Sequence, residues 1–290
     1  MDNIKAKINL SLSMLIFGTI GAFVKFLPFS SSEIAFMRGL LGGVFILFIF
    51  LLKKEKVFTA EIRKNLILLI ISGGLIGVNW IFLFESYRYT TVATATLCYY
   101  MAPVFVIIAS VFIFKEKLGF KKALCVLFAI LGMVLVSDIL KIGFNLTELK
   151  GVIFGISAAV FYSMVVLLNK KIGNINPFSK TAIQLISAAL VVLPYTIFNG
   201  SKNIKEVDFF AVLILLVVCF VHTGLAYLLY FSAVGKLKAQ TTAILSYLDP
   251  VVAICISAFV LKEKISIIAV IGAIIIILST LISELPEKEK

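Results

Sequence analysis

The stretch YMAPVFVIIASVFIFKEK, residues Tyr100–Lys117, returns later in the chain as YLDPVVAICISAFVLKEK, residues Tyr247–Lys264. Nine of the eighteen positions are identical, at a constant offset of 147 residues. The same offset pairs Trp80 with Tyr227, so the register extends beyond the two stretches. The chain is therefore predicted to consist of two related units, residues 1–140 and 148–284.

The composition predicts an all-α integral membrane protein. The chain has 290 residues and is 61% hydrophobic, whereas a soluble domain is typically about half apolar. A helix that spans a bilayer needs about 20 predominantly apolar residues. Ten such segments are predicted, near residues 8–26, 33–52, 65–86, 91–114, 121–137, 150–168, 178–198, 209–231, 239–261 and 265–283.

The distribution of basic residues predicts the orientation. When both termini are placed in the cytoplasm, 18 of the 27 basic residues fall on the cytoplasmic side, as the positive-inside rule expects. The net charge of +12 thus lies in short loops and does not indicate a nucleic-acid partner. A multi-pass protein of the cell (plasma) membrane, in contact with lipid and with both termini cytoplasmic, is expected.

Five helices in each unit is an odd number, so the second unit is predicted to enter the membrane inverted relative to the first. Inverted repeats are common in secondary transporters, because two similar halves can exchange conformations around a site at the membrane midplane. A channel is the alternative, although channels usually repeat a filter around an axis normal to the membrane.

Several motifs give the chain a family resemblance. Pro103 and Pro250 lie inside the fourth predicted helix of each unit, and each is followed by a Lys-Glu-Lys turn. The stretches CVLFAILG, Cys125–Gly132, and GAIIIILS, Gly272–Ser279, are similar to a fifth-helix G-x-x-L-I-x-x-G pattern, each lacking one glycine. With these features the chain resembles the EamA-type carriers of the drug/metabolite transporter superfamily.

The resemblance implies ten helices, cytoplasmic termini, a central cavity between the units, and export or exchange of amino acids and related metabolites. The function expected is therefore a secondary transporter of small polar metabolites, amino acids or related amines, by alternating access. Other members carry sugar phosphates or choline, so a different substrate class is a further alternative. A coupling proton and the oligomeric state stay open.

The acidic residue within the spans is the first candidate for the substrate site. A charge near the bilayer centre costs about 2.5–3.5 kcal/mol on insertion scales, and Asp249 is well inside a predicted span. Thr242, Ser246 and Asp249 recur at i, i+4 and i+7 and would share one helix face. Asp249 could bind a substrate ammonium or a coupling proton, or it could cap a helix broken at Pro250 or pair with a nearby basic group.

Aromatic and amide side chains complete the predicted site. Trp80 and Tyr227, which are repeat partners, and Tyr99 are expected to form cavity walls that can hold a cationic group. His222 could carry a proton or be a satisfied hydrogen-bonding residue within the bundle. Asn79 could contact substrate or join two helices.

The two intrahelical prolines and an arginine near the start of a span have open roles. Pro103 and Pro250 are predicted as gating hinges, with simple packing kinks as the alternative. Arg38 is expected to be structural, either reaching the membrane interface or pairing with Glu33.

Enzymatic and cofactor-dependent functions are not predicted. One histidine cannot supply the H-E-x-x-H motif of zinc proteases. One aspartate well inside the spans cannot supply the pair that an intramembrane aspartyl protease needs, and the phosphate-binding motif G-x-x-x-x-G-K-[ST] does not occur. No catalytic residue, metal or cofactor is therefore assigned.

Overall fold

The structure is a computed structural model that describes residues 2–24, 26–52, 59–90, 92–136, 146–173, 175–200, 207–260, 262 and 266–284. These residues form helices joined by turns, with no strand among them. The α-helices are α1 (Asp2–Val24), α2 (Ser31–Leu52), α3 (Ala60–Tyr89), α4 (Val92–Tyr99), α5 (Ala102–Ile113), α6 (Phe120–Val136), α7 (Leu146–Ile172), α8 (Pro177–Asn199), α9 (Phe209–Cys219), α10 (Ala226–Val234), α11 (Ala239–Leu245), α12 (Leu248–Phe259) and α13 (Ile267–Glu284). A π-helical segment, Phe220–Leu225, joins α9 to α10.

Six helical segments in the described residues are long and apolar enough to cross a membrane. They are Asn3–Val24, Ser31–Leu52, Ala60–Tyr89, Glu148–Ile172, Pro177–Asn199 and Phe209–Val234. The other four predicted spans coincide with shorter helices, α4 with α5, α6, α11 with α12, and α13. The all-helical class is confirmed, whereas ten spans in two inverted units stay a prediction. The junction between the predicted units, residues 137–145, lies outside the described residues.

The two spans that contain the repeated stretch are each broken in the middle. Between α4 and α5 the amide of Met101 donates to the Cys98 carbonyl at 3.2 Å, and between α11 and α12 the amide of Tyr247 donates to the Ile244 carbonyl at 3.1 Å. Such three-residue hydrogen bonds tighten the end of a helix. Each proline follows in the first turn of the second piece, where a missing N–H disturbs no intrahelical bond.

The ends of α5 and α12 also share an unusual backbone conformation. Lys115 has a φ of 53° and Lys262 a φ of 54°, and the two residues are 147 positions apart. The left-handed region is uncommon for residues other than glycine, asparagine and aspartate. The same rare conformation at equivalent positions shows that the sequence repeat is also a local structural repeat.

Helix packing follows the repeat as well. At an offset of 147, α1 corresponds to α7, α2 to α8, and α3 to the continuous α9–α10 segment. Helix α3 packs against α7, and α10 packs against α1; α5 packs against α7, and α12 packs against α1. Helices α2 and α8 pack against each other, as do α6 and α13. Contacts that exchange in this way are those expected of two units related by a two-fold axis.

Glycines allow the closest helix crossings. A Cβ atom at Gly18 would lie 2.6 Å from both the Asp249 carbonyl oxygen and the Val252 Cβ, so α1 touches the backbone of α12 directly. A Cβ at Gly73 would lie 2.4 Å from the Gln184 carbonyl oxygen, so α3 approaches α8 in the same manner. Small residues permit this approach within a membrane. The crossing at Gly18 brings the start of α12, with Asp249, to the centre of the bundle.

Candidate substrate cavity

A cavity of about 480 Å³ lies between the two predicted units. Its lining includes the exposed residues Gly21 and Ala253, so the cavity reaches the surface between α1 and α12. Most of the lining is apolar or aromatic, and among the described residues it contains one acidic and one basic side chain. The polar and large aromatic members, apart from phenylalanine, are Arg38, Trp80, Tyr87, Thr96, Tyr99, Tyr100, Tyr162, Tyr227, Ser246 and Asp249.

The cavity brings together six of the residues predicted from sequence for substrate binding or gating. They are Asp249, Ser246, Tyr99, Trp80, Tyr227 and Pro103. The repeat partners Trp80 and Tyr227 meet edge to face, with ring centroids 6.3 Å apart. Their roles in binding and gating stay predictions.

Four predicted residues lie outside the lining: Thr242, His222, Asn79 and Pro250. Thr242 was grouped with Ser246 and Asp249 on the assumption of a continuous helix. The chain instead breaks between Leu245 and Leu248, so the three side chains do not form one face. Thr242 is fully buried, and its hydroxyl has no hydrogen-bond partner in the described residues.

Asn79 and His222 connect helices. The Asn79 Nδ2 atom donates to the Ala158 carbonyl at 2.7 Å, which joins α3 to α7. The His222 Nε2 atom lies 2.9 Å from the Thr19 hydroxyl, and its ring lies 4.6 Å from that of Phe23, both on α1. Both residues thus contact protein rather than the cavity.

Asp249 enters the cavity from the first turn of α12. A helix N-terminus favours a negative charge, because the unpaired N–H groups point toward it. The side chain is half-buried and faces the cavity, where Tyr100 is its neighbouring hydroxyl group. The carboxyl group can therefore meet a ligand that enters the cavity.

Arg38 occupies a different place from the one predicted. Its Nε atom donates to the Thr223 hydroxyl at 2.9 Å, and its guanidinium lies 5.1 Å from the centroid of the Trp80 ring. Glu33 accepts hydrogen bonds from the amide and hydroxyl of Ser30. Arg38 therefore lines the cavity. Its side chain neither pairs with Glu33 nor extends out of the helix bundle.

Sequence reasoning also missed Tyr87 and Tyr162. Tyr87 follows Trp80 by seven residues on α3, so the helical periodicity that was applied to Asp249 would have found it. Tyr162, on α7, lies beside Tyr99, with the two rings tilted and their centroids 5.6 Å apart. Its helix belongs to the part of the repeat that matches only loosely, so no equivalent residue pointed to it.

Glu116, which does not line the cavity, ties the two predicted units together. Its carboxylate accepts hydrogen bonds from the backbone amides of Ala239 at 3.0 Å and Gln240 at 3.3 Å, at the start of α11. Lys170 of α7 lies 3.7 Å from the same carboxylate and donates to the Leu237 carbonyl. One residue of the first Lys-Glu-Lys turn thus joins two helices of the second unit.

Comparisons with known proteins agree with this architecture. The model of the EamA-like transporter family matches the chain twice, over residues 5–138 and 149–285. An uncharacterized transporter, YxxF of Bacillus subtilis, is 31% identical over 251 residues, which cover 86% of this chain and 79% of the relative. A probable amino-acid metabolite efflux pump of Salmonella typhimurium is 26% identical over 76% of this chain and 77% of the relative.

A solved crystal structure shares the fold. Its TM-score is 0.85 over 97% of both chains, at 16% identity. The family match covers nearly all of the sequence, and the membrane-length apolar helices make the chain a multi-pass membrane protein. The chain therefore belongs to the EamA-like transporter family.

Proposed function

We propose that the chain is a secondary transporter that exports or exchanges small metabolites carrying an amino group, amino acids above all, by alternating access. It would work in the cell membrane with both termini in the cytoplasm. The family and its named relatives are transporters, and no enzymatic step forms part of the proposal.

The observation that carries the proposal is one carboxyl group among the described residues that line an aromatic cavity. Asp249 and five tyrosines line a space whose volume of about 480 Å³ falls within the range of about 300–1,000 Å³ typical of small-molecule sites. A carboxylate and the faces of aromatic rings both attract an ammonium group. The names of the efflux pumps of Salmonella typhimurium and Escherichia coli support amino-acid metabolites as cargo.

The arrangement of the helices supports alternating access. The cavity reaches the surface between α1 and α12, while Glu116 ties the two units together at the start of α11. The two-fold exchange of helix contacts supports a mechanism in which the opposite state forms by exchanging the conformations of the two units. The breaks before Pro103 and Pro250 lie beside the cavity and are the proposed hinges.

Counterflow in proteoliposomes tests the function. Vesicles are loaded with one unlabelled compound from a panel of amino acids, choline-like amines and sugar phosphates, and uptake of the labelled compound is followed. Uptake with amino acids inside is expected. Asp249→Asn should reduce it about tenfold or more, because a charge-assisted contact is lost, whereas Glu61→Gln at the exposed start of α3 should not.

The possible outcomes separate the alternatives. Counterflow that survives in Asp249→Asn would keep the transporter and remove Asp249 from the site. Unsaturable leakage without counterflow would indicate a channel. Counterflow with sugar phosphates or choline alone would overturn the proposed substrate class.

A further inference from the structure

We infer that Arg38 is the carboxylate-binding group of the cavity, so that Arg38 and Asp249 together select a zwitterionic substrate over a simple amine. The inference rests on the proposed function, because it takes this cavity to be the transport site. It adds a second, oppositely charged contact to the one that Asp249 provides.

Two contacts hold Arg38 and leave its terminal nitrogens available. A guanidinium has five N–H donors. The Nε donor is used by the Thr223 hydroxyl, and one face of the group lies over Trp80. Within the described residues, no hydrogen bond or ion pair engages either terminal nitrogen. Arg38 thus presents the two nitrogens that bind a carboxylate in bidentate fashion while the rest of the group is held in place.

The Arg38 guanidinium lies where a charge needs a partner. Arg38 lines the cavity and is only partly accessible, on a helix that could cross the membrane. A charge at such a position is costly unless it is paired. Asp249 lines the same cavity, beside the Tyr100 hydroxyl. Arg38 and Asp249 form no ion pair with each other or with another described residue, so both charges are left for a ligand to pair.

The candidate ligands differ in how many of these two charges they pair. A choline-like cation would pair with Asp249 and leave Arg38 without an anion. A sugar phosphate would pair with Arg38 but would be repelled by Asp249, and Arg38 is the one basic residue in the described lining. A zwitterion pairs with both groups. Phe17, Leu83 and Phe84 also line the cavity and suit a large apolar substituent.

The test uses the chain's single tryptophan as a reporter. Trp80 is the only tryptophan in the sequence and lies against Arg38, so ligand binding there should change its fluorescence. The purified protein is titrated with phenylalanine, with phenylethylamine, which lacks the carboxylate, and with 3-phenylpropionate, which lacks the ammonium group. Phenylalanine should bind about tenfold or more tightly than either analogue.

Variants of the arginine separate charge from geometry. Arg38→Gln should lose the preference for phenylalanine over phenylethylamine, and Arg38→Lys should recover only part of it, because a lysine cannot bind in bidentate fashion. Arg88→Gln is the matched control, since Arg88 is exposed and pairs with Glu85 outside the cavity. Circular dichroism and gel filtration check that each variant is folded.

The outcomes distinguish this inference from the proposed function. Equal affinity of the wild type for phenylalanine and phenylethylamine would overturn the role of Arg38, and this comparison needs no variant. Discrimination that persists in folded Arg38→Gln would overturn it too. Binding with the expected discrimination but without counterflow would support Arg38 as the carboxylate site and reject the transporter instead.

Discussion

Single hydrogen bonds between helices matter in this protein, because lipid cannot replace them. The Asn79 side chain donates to the Ala158 carbonyl at 2.7 Å, and Asn79 is 1% exposed. Asn79→Leu should lower the free energy of unfolding by about 1–2 kcal/mol, since the hydrogen bond between the two helices is lost. Thermal unfolding in detergent measures the change, and the affinity for phenylalanine should stay the same.

Asn65 provides the control for this prediction. It lies on the same helix, but its hydrogen bond is exposed and runs to the Glu61 carbonyl four residues earlier. Asn65→Ala should leave the unfolding temperature almost unchanged. If Asn79→Leu kept full stability and lost affinity for the ligand, Asn79 would belong to the site, as its residue type first suggested.

The positions of some cavity side chains could be predicted from the sequence, and those of others could not. Asp249 and Trp80 could be predicted, because an acid inside an apolar span and a tryptophan with an aromatic repeat partner are unusual. Asn79, for which contact with substrate and a link between helices were both open, links α3 to α7, whereas Arg38, which was expected to be structural, lines the cavity. The sequence does not show which side chains of α2 face the cavity, so it could not place Arg38 there.

At the scale of elements, the crossing of α1 and α12 positions the proposed ammonium-binding group. A methyl group at residue 18 would lie 2.6 Å from the Asp249 carbonyl oxygen and from the Val252 Cβ, so α12 would have to move. Gly18→Ala should therefore lower stability by about 1–3 kcal/mol and reduce counterflow as well.

Gly21, one turn later on the same helix, is the control for the Gly18 prediction. A Cβ there would meet nothing within 4 Å. Because alanine favours a helix over glycine by about 1 kcal/mol, Gly21→Ala should keep or raise the unfolding temperature. Equal losses in Gly18→Ala and Gly21→Ala would show that the crossing is not the cause.

The tie between Glu116 and α11 makes a second prediction at this scale. Glu116 caps the start of α11 by accepting from the amides of Ala239 and Gln240. Loss of an N-cap costs about 0.5–2 kcal/mol, so Glu116→Ala should speed hydrogen exchange of these amides about tenfold. Lys117→Ala removes a neighbouring exposed charge and should leave the exchange of these amides unchanged. Unchanged exchange in Glu116→Ala would mean that Glu116 does not hold the start of α11.

Helix positions were easier to predict than helix continuity. Apolar length located the long helices, for example α2 and α8, within a few residues. It gave residues 239–261 as one span, whereas the structure divides them into Ala239–Leu245 and Leu248–Phe259. The proline signalled a disturbance, but the break precedes Pro250 because a proline is tolerated in the first turn of a helix and disfavoured later.

For the whole molecule, the repeated framework and the unrepeated charge support different parts of the proposed transport cycle. The backbone breaks and the left-handed lysines occur in both units, so the framework that is proposed to move is duplicated. The charged groups are not, since the position equivalent to Asp249 is Ala102. In the proposed mechanism the two-fold exchange of contacts would serve the conformational change, and its local loss at Asp249 would let a substrate with two different ends bind in one orientation.

The inverted orientation of the two units is the last prediction, and Lys115 and Lys262 test it as a matched pair. Both are exposed, both have a left-handed backbone, and they occupy equivalent positions. Each is changed to cysteine in a chain whose four native cysteines are replaced by alanine. If the units are inverted, a membrane-impermeant maleimide should label Lys262→Cys in intact cells, and Lys115→Cys only after the membrane is permeabilised. A cysteine added after Lys290 should behave as Lys115→Cys does, because both positions are predicted to be cytoplasmic. Labelling of both lysine positions from the same side would mean that the units are parallel, and exchange between inverted halves would then be excluded as the transport mechanism.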